Sequence, residues 1–199
     1  MNLMNETFNL ILNIAIFSLI PLIGYLFSRK TIKGFFRYLG IFKPQGIDIF
    51  QIIIIIVTTY LITLIANIIV IYSGNSMRAN TIFQNTTFSI RFLYILLYGL
   101  KTGIAEEIFF RGFIAKRCFS KLGFNRGNVV QAIIFALPHF VIDGSASYID
   151  IIVRIINAFI LGYMFGYVVD RKSNGSIIPV MLAHILINMT SSFILSSIL

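Results

Sequence analysis

The sequence predicts an all-α protein: a polytopic membrane helix bundle of about six transmembrane helices plus one short interfacial helix. Hydrophobic residues make up 58% of the 199 positions and charged residues only 12%, and the mean hydropathy is +0.91. A water-soluble domain of this size needs a more polar surface than that composition supplies. Apolar runs of helical length recur along the chain, and no linker interrupts them. We therefore expect residues 1–199 to form a single transmembrane domain.

Six nearly uncharged runs are the predicted spans, because about 20 helical residues cross the roughly 30 Å apolar layer of a bilayer. They are Phe8–Phe27, Ile49–Tyr72, Phe92–Ile114, Val129–Ile142, Ile151–Val169 and Ile177–Leu199. The fourth run is short and contains Pro138, so a kinked or re-entrant segment stays open there. Thr31–Phe42 alternates bases with aromatic and aliphatic residues, which is typical of a short helix in the headgroup plane. Gly162 and Gly166 predict a close helix contact in the fifth span.

The basic residues predict the orientation of the chain and its lipid partner. Eleven of the 16 Lys and Arg fall in the first, third and fifth loops: Arg29, Lys30, Lys33, Arg37, Lys43, Lys116, Arg117, Lys121, Arg126, Arg171 and Lys172. Only Arg78 and Arg91 fall in the opposite loops. Lys and Arg favour the cytoplasmic side, so we expect a multi-pass protein of the cell membrane with both termini outside. The net charge of +9 is then explained by anionic lipids, and no nucleic-acid partner is expected.

Ionisable residues inside the predicted spans are few and chemically related. They include two adjacent carboxylates, Glu106 and Glu107, and both histidines of the chain, His139 and His184. Lys101 also lies in the third span, with no partner that the sequence identifies. Such groups are costly in hydrocarbon and usually face one another, water or a functional site. With alternating spans, the helical rise places the carboxylates and His184 about 10 Å, and His139 about 15–18 Å, from the cytoplasmic edge.

Residue spacing within these spans predicts which side chains share a helical face. Glu107 and Arg111 are four residues apart and are expected to form an ion pair, whereas Glu106 is rotated by about 100° and is left for another partner. His184 and Asn188 are also four apart, so an imidazole and a carboxamide project together. Three distant stretches thus bring acid, imidazole and amide groups to one layer.

Three short motifs carry a family resemblance: EEIFFR at 106–111, FALPH at 135–139 and HILIN at 184–188. They resemble the EExxxR, FxxxH and HxxxN motifs of the CPBP family of intramembrane proteases, which includes type II CAAX-processing endopeptidases and bacteriocin-immunity-type members. The motifs occur in the same order, each in a predicted span, so residues 92–199 are expected to be a CPBP-like catalytic core. The resemblance implies an intramembrane endopeptidase acting on a peptide or membrane-protein substrate.

The resemblance also implies a role for each of the six candidate residues. Glu106 and His139 match the positions that activate a water molecule. His184 and Asn188 match the groups that stabilise the oxyanion. Glu107 and Arg111 match the supporting ion pair. A carboxylate in an apolar pocket and preorganised donors suit the hydrolysis of a peptide bond.

A metal cofactor is left open by the sequence. One carboxylate and two imidazoles, from Glu106, His139 and His184, are a donor set that could hold zinc with water as fourth ligand. The HExxH spacing that would make zinc a strong prediction is missing. A divalent metal, zinc before the others, therefore stays an alternative to metal-free water activation.

Two other functions remain open on the sequence alone. Carboxylates and histidines at one depth also form proton relays, which favours a proton- or ion-coupled carrier as the rival hypothesis. The third alternative is a non-catalytic immunity or scaffold protein of the same family. The sequence identifies neither the substrate nor the oligomeric state.

Overall fold

The computed structural model of the protein describes residues 3–72, 87–140 and 147–198, and every regular element in these ranges is helical. The seven α-helices are α1 Leu3–Arg29, α2 Phe35–Leu39, α3 Ile49–Tyr72, α4 Phe88–Glu106, α5 Lys116–Ala136, α6 Tyr148–Tyr167 and α7 Ile178–Ile198. A π-helical segment, Glu107–Ala115, joins α4 to α5, and a second, Val168–Lys172, extends α6. A 3-10 turn, Leu137–His139, ends α5. The predicted all-α helical bundle is confirmed.

Five helical runs in the described ranges are long and apolar enough to cross a membrane. They are Leu3–Arg29, Ile49–Tyr72, Phe88–His139, Tyr148–Lys172 and Ile178–Leu195. The third, of 52 residues, contains the predicted third span and the predicted fourth span as far as His139. Gly123 breaks its helical geometry with φ 72° and ψ 167°. A Cβ atom on Gly127 would lie 2.6 Å from the carbonyl oxygen of Cys118, so the chain folds back at this kink. The predicted count of six spans treats the parts of this run before and after the kink as two separate spans.

The chain is a multi-pass membrane protein, as predicted. Two features of that prediction, Arg78 in an outer loop and the end of the fourth span at Ile142, lie outside the described residues.

Helices α4 and α7 approach each other closely through two glycines of α4. A Cβ atom on Gly99 would lie 2.7 Å from Cγ of Met189, and one on Gly103 would lie 2.8 Å from the backbone nitrogen of Ile185. Only glycine allows the two helices to approach this closely, because a larger side chain would overlap these atoms. Close approach stabilises the helix pair in a membrane, where lipid tails are as apolar as the helix surface and the attraction comes from packing. The crossing places the α4 residues after Gly99 directly beside the middle of α7.

Helices α5 and α6 are joined by buried amides packed against the predicted glycine pair. Asn128 donates from Nδ2 to the carbonyl of Tyr163 over 3.0 Å, and Gln131 donates from Nε2 to the carbonyl of Gly162 over 2.7 Å. A Cβ atom on Gly166 would collide with the Asn128 side chain. The close helix contact predicted from Gly162 and Gly166 is thus present, and it sets the position of the α5 end that carries His139.

Helix α3 is joined to α6 by a buried amide. Asn157 of α6 donates from Nδ2 to the carbonyl of Thr63 over 3.2 Å and to Oδ1 of Asn67 over 2.8 Å. These contacts link residues more than 85 positions apart in the chain.

The predicted interfacial segment packs against one end of the bundle. Helix α2 has only five residues, because Gly34 and Gly40 flank it with φ of 89° and 88°. Its apolar residues Phe35 and Leu39 are buried. The carbonyl of Gly40 accepts a hydrogen bond from the backbone nitrogen of Ile177 over 2.9 Å, which attaches α2 to the start of α7. The helix is therefore shorter than Thr31–Phe42 and belongs to the protein core on one side.

We expect Gly103→Ala to destabilise the α4–α7 crossing by about 1–3 kcal/mol, since the added methyl group meets backbone atoms that cannot rotate away. The thermal unfolding midpoint in detergent should fall. Gly24→Ala is the control, because the atom nearest to its added methyl group, at 3.2 Å, belongs to the side-chain ring of Phe113 and not to backbone. Equal midpoints for the two variants would contradict this account.

Candidate active site

A buried ion pair lies at the centre of the candidate site. Arg111 donates from Nη1 to Oε1 of Glu107 over 2.9 Å, and neither side chain is exposed. Both residues belong to the π-helical segment after α4, a conformation that is frequent at functional sites. The contact matches the pair expected from the spacing of four residues. It neutralises two charges that would be costly to bury separately.

Two phenylalanine rings hold the Arg111 guanidinium. Its central carbon lies 3.9 Å from the ring centroid of Phe135 and 5.3 Å from that of Phe165. Nε and Nη2 of Arg111 are buried and have no hydrogen-bond partner among the described residues. Stacking on aromatic faces favours a desolvated guanidinium, and its planar shape is what the two rings accommodate. Phe165 belongs to α6 and lies in none of the three motifs, so no sequence pattern predicted its contact with Arg111.

His184 connects α7 to the ion pair and to the second glutamate. Its Nδ1 lies 2.7 Å from Oε1 of Glu107, the oxygen that also accepts from Arg111. A carboxylate oxygen only accepts, so Nδ1 is the donor and Nε2 is directed toward Glu106. Nε2 lies 3.9 Å from Oε2 of Glu106. The Glu106 side chain is 23% exposed whereas that of Glu107 is fully buried, so Glu106 is the carboxylate that a small molecule can reach.

Asn188 lies one helical turn beyond His184 and contacts Thr102. Its Nδ2 donates to Oγ1 of Thr102 over 2.7 Å, and the Thr102 hydroxyl donates to the carbonyl of Tyr98 over 2.9 Å. The sequence analysis missed Thr102. A usable signal was its place four residues before Glu106, on the same face of the helix.

His139 forms its hydrogen bond within its own helical segment. It ends the turn after α5, and its Nδ1 lies 3.2 Å from the carbonyl oxygen of its neighbour Phe135. Within the described ranges it forms no hydrogen bond or ion pair with Glu106 or His184. The ring of Phe135 lies near both imidazoles, with centroids 5.4 Å from His139 and 6.1 Å from His184. Phe135, the first residue of the FALPH motif, thus contacts both histidines and Arg111.

The candidate zinc ligands do not form a three-donor set in the described residues. No group of three or more His, Cys, Asp and Glu side chains there is arranged to hold a metal ion. The hydrogen bonds at Nδ1 of His184 and of His139 leave Nε2 of each ring available, so they do not by themselves exclude a metal. It is the arrangement of the three side chains in the described residues, Glu106, His139 and His184, that does not fit a zinc site.

Other charged groups of the spans also form ion pairs. Lys101 lies with Nζ 3.7 Å from Oε2 of Glu6 on α1, a partner that the sequence analysis did not identify. Arg154 pairs from Nε with Oδ2 of Asp150 over 3.0 Å. These pairs are separate from the Glu107 cluster.

Comparison with protein families adds an independent observation to this geometry. The family model described as "Type II CAAX prenyl endopeptidase Rce1-like" matches residues 88–190, just over half of the chain. The chain belongs to this family. The matched residues include the whole of α4 and all three motifs, which confirms the resemblance seen in the sequence. Neither a curated protein nor a solved structure matches the chain.

Membership of the Rce1-like family makes the chain a membrane endopeptidase in general terms. The match begins at the first residue of α4, so α1–α3 lie before the family region. Helix α1 nevertheless contacts the matched region, where Gly24 faces Phe113 and Phe17 packs against the Phe109 ring with centroids 5.5 Å apart.

We expect Arg111→Met to destabilise the protein by about 3–5 kcal/mol, because it leaves the Glu107 carboxylate buried without its cation. The measurement is the thermal unfolding midpoint in detergent. Arg171→Met is the matched control, since Arg171 also stacks on a phenylalanine, Phe124 at 4.4 Å, but its side chain is 52% exposed. A midpoint loss no larger than that of the control would show that the pair is not structural.

Proposed function

We propose that this family member is an intramembrane endopeptidase, in which Glu106 and His139 activate a water molecule that attacks a peptide carbonyl. The observation that carries the proposal is the pairing of a partly exposed carboxylate, Glu106, with the imidazole of His184 inside an apolar helix bundle. Ionisable groups at such a position are expected to serve a function.

Glu106 is the better base of the adjacent glutamates. Both oxygens of Glu107 are buried, and Oε1 already accepts from Arg111 and His184. Glu106 retains access and has no hydrogen bond from the described residues that would occupy its oxygens. A general base must reach the proton it removes, either directly or through one water.

His139 is suited to share this role through its second nitrogen. A backbone carbonyl only accepts, so Nδ1 of His139 donates to Phe135 and the lone pair lies on Nε2. In the proposed reaction, the proton leaving the water passes to Glu106 or to this nitrogen, and a proton is later returned to the departing amine.

His184 and Asn188 are the proposed oxyanion donors. His184 can donate through Nε2 only if this nitrogen carries a proton in addition to the one on Nδ1. Each ring nitrogen faces a carboxylate, Glu107 at Nδ1 and Glu106 at Nε2. Asn188 has a second amide hydrogen beyond the one given to Thr102. Donors fixed in advance stabilise a tetrahedral oxyanion strongly where water is scarce.

Glu107 and Arg111 are proposed as positioning residues. Arg111 holds Glu107 from the next turn, and Glu107 fixes the orientation of the His184 ring through Nδ1. The same logic of an anion orienting an imidazole operates in other hydrolytic sites.

The proposed substrate is a peptide or membrane-protein segment that reaches the site from the bilayer or its cytoplasmic side. The proposed location is the cell membrane with both termini outside. This rests on the distribution of Lys and Arg among the loops.

We expect Glu106→Gln to lower peptide cleavage by roughly 10²- to 10⁴-fold, the usual contribution of a general base. The assay uses the chain in liposomes with two internally quenched peptides of one sequence, one ending in a farnesylated CAAX tail and one unmodified. Asp170→Asn is the control, because Asp170 is an exposed residue in the π-helical segment after α6 and its carboxylate pairs with Arg171. Cleavage by Glu106→Gln at the control rate would overturn the proposal.

We expect metal chelation to leave cleavage largely intact, because the three candidate ligands do not converge. The rate is measured before and after 1,10-phenanthroline, with a non-chelating isomer as control. Loss of activity that added zinc restores would establish the metal alternative instead.

A further inference from the structure

The hydrogen bonds around Thr102 have a fixed direction. The Thr102 hydroxyl has one proton, which it donates to the carbonyl of Tyr98 over 2.9 Å. Its oxygen therefore acts as acceptor toward the Asn188 side chain 2.7 Å away. Only the NH₂ end of the carboxamide can donate to it, so the contact determines which end of Asn188 faces α4.

Thr102 and Glu106, one turn apart on α4, each face a residue of α7. They are four residues apart on one face of α4, and their partners Asn188 and His184 are four apart on α7. Glu106 faces His184 at 3.9 Å, and one turn away Thr102 bonds Asn188 at 2.7 Å. The glycine crossing at Gly99 and Gly103 brings the two helices close enough for both contacts.

We infer that Thr102 is a positioning residue for the reaction, which acts by holding the Asn188 carboxamide so that its second N–H is available to the oxyanion. The inference rests on the proposed function. Without the hydroxyl, the carboxamide of Asn188 loses the one hydrogen-bond partner recorded for it in the described residues, and rotation about its side chain would turn the donor away. Thr102 lies outside the three sequence motifs, and its own contact with the reaction is indirect.

The test compares Thr102→Val, which keeps the shape and removes the hydroxyl, with Thr102→Ser, which keeps the hydroxyl. The probe is whichever of the two quenched peptides the unaltered chain cleaves faster. We expect kcat of Thr102→Val to fall about 5- to 50-fold with KM within about twofold, as for a transition-state donor that is weakened but not removed. Thr102→Ser should stay within about threefold of the unaltered chain.

A matched control separates this effect from general damage caused by removing a threonine hydroxyl inside the bundle. Thr59 on α3 is buried, whereas Thr102 is partly buried, and Thr59 also donates to the carbonyl four residues earlier, over 2.7 Å; among the described residues its hydroxyl has no hydrogen bond to a residue of the site. Thr59→Val should therefore leave kcat unchanged. If Thr102→Val yields too little folded protein, Thr102→Ala is judged by the same criteria, since it removes the hydroxyl without adding a new packing group.

A double-variant comparison completes the test. In the Asn188→Ala background, Thr102→Val should cause no further loss, because its effect acts through Asn188. The role of Thr102 would be overturned if the losses of activity from Thr102→Val and Asn188→Ala multiply in the double variant, or if kcat of Thr102→Val alone is normal. If Glu106→Gln still abolishes cleavage in that case, the proposed protease stands and only this inference fails. If Glu106→Gln cleaves normally, the proposed function itself fails.

Discussion

The centre of this protein depends on one atom, Oε1 of Glu107, which accepts hydrogen bonds from two side chains. Oε1 accepts from Arg111 within the same helical segment and from His184 on α7, and all three side chains are buried or nearly so. In an apolar bundle, a lone charge there would cost several kcal/mol. The carboxylate is therefore retained only with both partners, and the same requirement fixes how α7 is rotated against the α4 segment. The contacts that allow Glu107 to be buried are therefore the same contacts that orient the imidazole of His184.

Much of this organisation could be predicted from local spacing. The helical class and multi-pass topology follow from runs of apolar residues, and the Glu107–Arg111 pair follows from a separation of four. The close contact at Gly162 and Gly166 follows from the absence of side chains. Each of these features depends on residues near one another in the sequence, where helical geometry leaves few arrangements. The family itself was recognisable from three motifs in order.

The features that could not be predicted from the sequence all depend on contacts between residues far apart in the chain. The pairing of Glu6 with Lys101 joins helices more than 90 residues apart, and nothing in either segment indicates the other. Thr102 and Phe165 lie outside the motifs, so their contacts with Asn188 and Arg111 appear only once the helices are packed. Depth placed His139 in the same layer as Glu106, but depth alone does not determine rotation about the helix axis. The sequence could not show that Nδ1 of His139 turns to its own backbone.

The amide of Asn157 has a consequence for α3 that hydrophobicity could not produce. This helix contains five consecutive isoleucines and is mostly apolar, so lipid and protein are similar neighbours for much of its surface. Apolar burial alone therefore distinguishes only weakly between rotations of α3 about its axis. The hydrogen bonds from Asn157 to Thr63 and Asn67 favour one rotation, because both acceptors belong to α3 and must face α6. A polar contact between two helices thus helps to decide which edge of a largely aliphatic helix faces the protein.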